Sequence, residues 1–68
     1  KPRRDKLLQL AFGFPLTVDE TNVLLRAGGM NSLYVRNRRD AICMYCLQQR
    51  KSVDDCNDML YESGEETF

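Results

Sequence analysis

The two halves of the chain match each other at an offset of 35 residues. Arg38-Arg39-Asp40 falls beneath Arg3-Arg4-Asp5. The same register, without a gap, pairs further identical residues: Val18-Asp19 with Val53-Asp54, Asn22 with Asn57, Leu25 with Leu60, and Gly29 with Gly64. A repeat of this length is typical of a supersecondary unit that buries its apolar face only against a neighbouring unit. The sequence therefore predicts one module, residues 1–68, built from two copies at residues 1–33 and 36–68.

Two helices are predicted in the first copy. Apolar residues at helical spacing predict helix 1 over Arg4–Phe12, and the following Gly-Phe-Pro segment ends it. Thr17 and Glu20 have the spacing of a capping box, which predicts helix 2 over Val18–Ala27. Gly28-Gly29 ends helix 2 because glycine adopts left-handed backbone at no steric cost.

The second copy is expected to form the same two-helix pattern, with a longer first helix. Helix 3 is expected from about Ser32 to Gln49, and helix 4 over Val53–Ser63. Ser52 and Asp55 repeat the cap in a weaker form, and Gly64 closes helix 4. No strand pattern competes, so the expected fold is all-α, with four helices arranged as two repeated helical hairpins.

The faces of helices 2 and 4 that meet helices 1 and 3 follow from the same spacing. The residues expected there are Val18, Leu24, Leu25, Val53, Cys56, Met59 and Leu60. Asn22 and Asn57 stand in mid-helix at matched positions, where asparagine is a poor helix former. We expect each to hydrogen-bond the connection of the neighbouring hairpin, and a contact with a ligand is the alternative.

Composition and cysteine content restrict the class of protein. Hydrophobic residues make up 43% of the chain and charged residues 29%, which is typical of a folded domain. Cys43, Cys46 and Cys56 cannot all pair, which favours a reducing cytoplasm and a role as small buried hydrophobes. The Cys43-x-x-Cys46 spacing suits zinc, but there is no histidine, and we expect no metal or cofactor. With no long apolar run, neither a membrane span nor a signal peptide is expected. Because the sequence begins at Lys1 without a methionine, the chain is expected to be part of a longer protein.

The net charge is zero but the charges are unevenly placed. Basic residues crowd the starts of helices 1 and 3: Lys1, Arg3, Arg4, Lys6, Arg36, Arg38 and Arg39. Every charged residue from Ser52 onward is acidic. Three interpretations stay open: the basic end contacts phosphate, the basic and acidic ends pair in a dimer, or the charges form a solvated surface with helical pairs such as Arg36 with Asp40.

Two more specific functions fit the sequence poorly. Val18 to Arg39 supplies a helix, a glycine turn and an arginine-bearing helix, but it satisfies the helix-turn-helix pattern only in part, because Leu25 takes the place of a small residue. The chain has no histidine and no glycine-rich phosphate loop, so we do not expect an enzyme.

Three stretches carry a resemblance to a known family. They are Lys1-Pro2-x-Arg4-Asp5-Lys6-Leu7-Leu8-x-Leu10-Ala11, Leu16-Thr17-Val18-Asp19-Glu20-Thr21-Asn22-x-Leu24-Leu25-Arg26-Ala27-Gly28 and Arg36-Asn37-Arg38-Arg39-Asp40-Ala41. The first resembles the closing part of the DNA-binding domain in Cro/CI-type (XRE) helix-turn-helix regulators. The others resemble the helical extension that follows it in some bacterial members.

The resemblance implies that the base-reading helix precedes this segment. It implies that Lys1 and Arg4 lie near phosphate, where they fix position without reading sequence. The repeat extends that role to the second copy, so the predicted DNA contacts are Lys1, Arg3, Arg4, Arg36, Arg38 and Arg39. The expected function is that of a cytoplasmic helical segment of a bacterial transcriptional regulator. Its partners would be double-stranded DNA through the parent protein and a second copy or a regulatory protein. The alternative is a helical-hairpin interaction module with no nucleic-acid role.

Overall fold

A computed structural model describes residues 2–68, which form four α-helices and no strand. The helices are α1 (Arg3–Gly13), α2 (Val18–Ala27), α3 (Arg38–Gln48) and α4 (Val53–Glu62). The predicted all-α class is confirmed, and α1, α2 and α4 begin and end within one residue of their predicted bounds. Among the described residues, no helix combines the length and the apolar character needed to cross a membrane.

The caps predicted for α2 and α4 are present. Thr17 Oγ1 accepts from the Glu20 backbone N–H at 3.1 Å, and Glu20 Oε1 accepts from the Thr17 N–H at 2.9 Å, which completes the capping box. Ser52 Oγ accepts from the Asp55 N–H at 3.1 Å in the corresponding cap of α4. Gly29, with φ of +79°, turns the chain out of α2 as expected.

The predicted start of helix 3 at Ser32 is wrong, because α3 begins at Arg38. Residues 30–34 are non-helical, and side chains hold two of their backbone amides. The Leu33 N–H donates to Asn22 Oδ1 at 2.8 Å, and the Tyr34 N–H donates to Asp40 Oδ2 at 3.0 Å. Asn37 then caps α3 by accepting from the Asp40 N–H at 2.9 Å. Residues 28–37 therefore separate α2 from α3, which is too long for the turn of about 3–4 residues in a helix-turn-helix motif.

One core joins all four helices. Helix α1 packs against α2 and α4, and α3 packs against α4 and α2. The buried apolar residues are Leu8, Ala11, Phe12, Leu25, Leu33, Cys43, Cys46, Leu47, Cys56 and Leu60. The face predicted for α2 and α4 is confirmed, since its remaining members, Val18, Leu24, Val53 and Met59, are partly buried against this core. The core therefore draws residues from both hairpins.

The two mid-helix asparagines have structural roles. Asn22 binds Leu33 in the segment between α2 and α3, and Asn57 Oδ1 accepts from the Phe68 N–H at 2.7 Å in the C-terminal tail. Each side chain therefore holds the segment that follows its own hairpin, and not the connection of the neighbouring hairpin as predicted. The tail is packed, because the Phe68 ring meets the Phe12 ring edge to face with centroids 6.2 Å apart.

Candidate functional site

The starts of α1 and α3 meet at a junction of two Arg–Asp ion pairs, which we call the ion-pair junction (Arg4, Asp5, Arg39 and Asp40). Arg4 donates from Nη1 to Asp40 Oδ1 at 2.9 Å and from Nη2 to Asp40 Oδ2 at 3.0 Å. Arg39 donates from Nη1 to Asp5 Oδ1 at 2.8 Å and from Nη2 to Asp5 Oδ2 at 3.1 Å. Both pairs are bidentate, the geometry in which arginine and carboxylate interact most strongly.

The junction is largely withdrawn from solvent. The side chains of Asp5 and Asp40 are only 6% and 8% exposed, and those of Arg39 and Arg4 are 15% and 24% exposed. Each aspartate lies in the first turn of its helix, where the helix dipole also favours a negative charge. The hydrogen bonds that Arg39 donates to the Asp5 carboxylate raise the pKa of Arg39 above its ordinary value, although burial opposes the shift. These arginines are therefore structural cations with fixed partners.

Both guanidinium groups make further contacts outside the ion pairs. Arg4 donates from Nε and Nη2 to the carbonyl of Asn31, each at 3.3 Å, and from Nη2 to that of Ser32 at 3.3 Å. Arg39 donates from Nε to the carbonyl of Glu66 at 2.7 Å, and its guanidinium carbon lies 5.0 Å from the centre of the Phe68 ring. The junction therefore fixes the segment after α2 and the tail after α4 as well as the two helix starts.

The arginines predicted to contact DNA fall into two groups. Arg4 and Arg39 belong to the ion-pair junction. The others are exposed, and we call them the basic surface: Arg3, Arg36 and Arg38. Arg38 lies 3.9 Å from Glu65, but with 71% of its side chain exposed this contact contributes little. Lys1 lies outside the described residues.

The sequence analysis did not identify Asp5 and Asp40 as the ion-pair partners of the two arginines. The predicted pair of Arg36 with Asp40 is wrong, because Asp40 binds Arg4, and Arg36 precedes the first turn of α3. A signal was present in the sequence: the dipeptide Arg-Asp stands at residues 4–5 and again at 39–40.

The three cysteines are buried free thiols, as predicted. Burial raises the pKa of Cys46, and its Sγ lies 3.5 Å from Met59 Sδ. Hydrogen bonding to Cys43, together with burial, raises the pKa of Cys56. The same hydrogen bond, aided by the charge of Arg39, lowers the pKa of Cys43. Among residues 2–68, no group of three or more cysteine and carboxylate side chains is arranged to hold a metal ion.

The outer face of α1 presents a shallow, open and mainly apolar groove. We call it the α1 groove, and its lining is Lys6, Gln9, Leu10, Gly13 and Phe14. Leu10 is 50% exposed and Phe14 is 70% exposed. Exposed large apolar side chains that lie together are typical of surfaces that contact other proteins.

Comparison with known proteins returned no matching family model, no matching characterised protein and no matching solved structure.

Proposed function

We propose that the chain is a helical segment of a bacterial DNA-binding transcriptional regulator, where it serves regulation or dimerisation and adds accessory phosphate contacts. The resemblance of its sequence to Cro/CI-type (XRE) regulators supports the class of protein. The observation that carries the phosphate contacts is the basic surface, in which Arg3, Arg36 and Arg38 are all exposed. We propose that Arg4 and Arg39 hold this surface in place instead of contacting DNA themselves.

The ion-pair junction brings the basic surface together. Arg3 directly precedes Arg4, and Arg38 directly precedes Arg39, so the two bidentate pairs hold both exposed arginines at the same end of the module. Exposed arginines held at one end attract the phosphate backbone without reading base sequence. Three phosphate contacts give a slope of about −2.7 in a plot of log affinity against log salt concentration.

The test is binding of the intact chain to duplex DNA across a salt series. The variant Arg3→Gln/Arg36→Gln/Arg38→Gln removes three positive charges from the basic surface. A matched control, Arg26→Gln/Arg50→Gln/Lys51→Gln, removes three positive charges elsewhere, so both variants have the same net charge. We expect the first variant to lose most of the affinity and most of the salt dependence, and the control to lose much less.

Either of two results would contradict the phosphate contacts. Equal losses in the two variants would mean that only net charge matters. Absence of binding by the unmodified chain at low salt would mean that DNA contact belongs entirely to other parts of the regulator.

A second candidate is a protein-interaction module without a nucleic-acid role, and the α1 groove favours it. Phe14 in the groove and Val23 on α2 are 70% and 69% exposed, so they form a matched pair for substitution. If the groove binds protein through its apolar surface, Phe14→Ser lowers self-association of the chain in sedimentation equilibrium and Val23→Ser leaves it unchanged. Equal behaviour of the two variants argues against the groove as the contact.

A further inference from the structure

The contacts between the two halves of the module are reciprocal. We define the first half as residues 2–33 and the second half as residues 34–68. Arg4 of the first half binds Asp40 of the second, and Arg39 of the second half binds Asp5 of the first. Each half therefore offers the same dipeptide, Arg-Asp, to the same dipeptide of the other half. Reciprocal contacts of this kind, in which equivalent residues of the two halves make the same contact, are typical of a two-fold symmetric interface.

The helix packing is reciprocal in the same way. Helix α1 of the first half packs on α4 of the second, and α3 of the second half packs on α2 of the first. The polar contacts that close each half also correspond, since Asn22 binds the Leu33 N–H and Asn57 binds the Phe68 N–H, at 2.8 Å and 2.7 Å. The surface that one half presents to the other is therefore close to self-complementary.

Two adjacent residues in the connection between the halves are hydrogen-bonded to different halves. The Leu33 N–H is held by Asn22 of the first half, and the next amide, that of Tyr34, is held by Asp40 of the second half. The halves are joined by the segment between α2 and α3, residues 28–37. Opened into an extended strand, residues 28–37 reach about 33 Å, which matches the 30 Å longest dimension of the module.

From these observations we propose that the interface between the halves is a self-recognition surface whose partner is a second copy of this chain. Two copies exchange halves, so that the first half of each packs on the second half of the other. All four helices and both ion pairs per module are retained, and residues 28–37, which include the buried Leu33, change conformation. Exchange is then governed by chain concentration. The proposal deepens the dimerisation role proposed above by naming the partner and the surface.

Two charge-reversal variants of the full chain test the exchange. In Asp5→Arg, the new arginine faces Arg39; in Arg39→Asp, the new aspartate faces Asp5. Neither variant forms this ion pair within its own chain or with a copy of itself. In an equimolar mixture, exchanged halves bring the Asp5→Arg and Arg39→Asp substitutions together as an oppositely charged pair in one module and restore the original pair in the other. The control chain with both substitutions restores the pair internally and should remain monomeric at low concentration.

We expect the mixture, refolded together from urea, to give a species at twice the monomer mass of 7.9 kDa in sedimentation velocity. Each variant alone, treated in the same way, should give at least tenfold less of that species. A mixture that behaves as the sum of the two separate variants would overturn the proposal.

A second pair of variants keeps the test decisive if the first pair does not fold. Arg4→Asp and Asp40→Arg reverse the other ion pair in the same way, with Arg4→Asp/Asp40→Arg as the internal control. A dimer specific to the mixture supports exchange, and its absence in both sets overturns it. Neither result affects the DNA titration with the basic-surface variants, so failure of the exchange and failure of the proposed function can be told apart.

Discussion

Removal of the Asp40 carboxylate should cost a large part of the stability of this chain. Asp40 accepts two hydrogen bonds from Arg4 and one from the Tyr34 N–H, and its side chain is only 8% exposed. Breaking a buried ion pair by removing one partner costs about 3–5 kcal/mol. Because Arg4 is 24% exposed and regains some hydration, we expect the low end, about 3 kcal/mol, for Asp40→Ala. The unpaired Tyr34 amide adds about 1 kcal/mol.

The size of the effect makes it measurable by urea unfolding followed by circular dichroism at 222 nm. At about 0.05–0.15 kcal/mol per residue, a chain of 68 residues has roughly 3–10 kcal/mol of stability. With a denaturant slope of about 1 kcal/mol per molar urea, the combined loss of about 4 kcal/mol for Asp40→Ala should lower the midpoint by about 4 M or leave the chain unfolded. The control Asp58→Ala alters an exposed aspartate and should change stability by less than about 0.5 kcal/mol. An Asp40→Ala variant as stable as this control would refute the structural role of the junction.

Three further predictions concern other contacts. Thr17→Ala removes the acceptor for the Glu20 amide and should cost about 1 kcal/mol in the free energy of unfolding measured with urea; no loss would mean that the capping box does not stabilise α2. Asn22→Ala leaves the partly buried Leu33 amide without its acceptor and should cost about 1–3 kcal/mol, with faster hydrogen exchange at that amide than in the native chain; unchanged exchange would contradict the contact. Burial raises the pKa of Cys46 in the folded chain. The stability that the Cys46 thiol contributes is therefore fully present below the thiol pKa of the unfolded chain, about 8.5, and is lost as the pH rises above that value. Cys46→Ala should therefore lose less stability than the native chain when thermal unfolding is compared at about pH 7 and 10, and equal losses would count against the shift.

The features predicted correctly from sequence are those encoded locally. Thr17 and Glu20 are three residues apart, and their spacing alone specifies the box that begins α2. The buried positions of Cys43 and Cys46 followed from their match to Leu8 and Ala11 in the first half. Local pattern and internal repetition therefore predicted three helices to within one residue at each end, and the burial of the cysteines.

The features missed depend on contacts between residues far apart in the chain. Local spacing favoured Arg36 as the partner of Asp40, but the bidentate contact is made by Arg4, which is 36 positions away. Helix α3 begins six residues later than predicted because Asn22 and Asp40 hold the backbone of Leu33 and Tyr34 in a non-helical path. The contact of Arg4 with Asp40 cannot be recognised until the starts of α1 and α3 are placed together. The internal repeat itself stays a prediction, supported by the matched contacts of the two halves.

A double-mutant cycle on Asp5 and Arg39 tests directly whether the reciprocal ion pairs hold the two halves of the module together. The free energy of unfolding would be measured with urea for the native chain, Asp5→Ala, Arg39→Ala and the double variant. We predict an interaction energy of about 2 kcal/mol, within the range of 0.5–3 kcal/mol typical of residues in one network. An interaction energy near zero, with additive losses, would contradict the claim that this pair joins the halves.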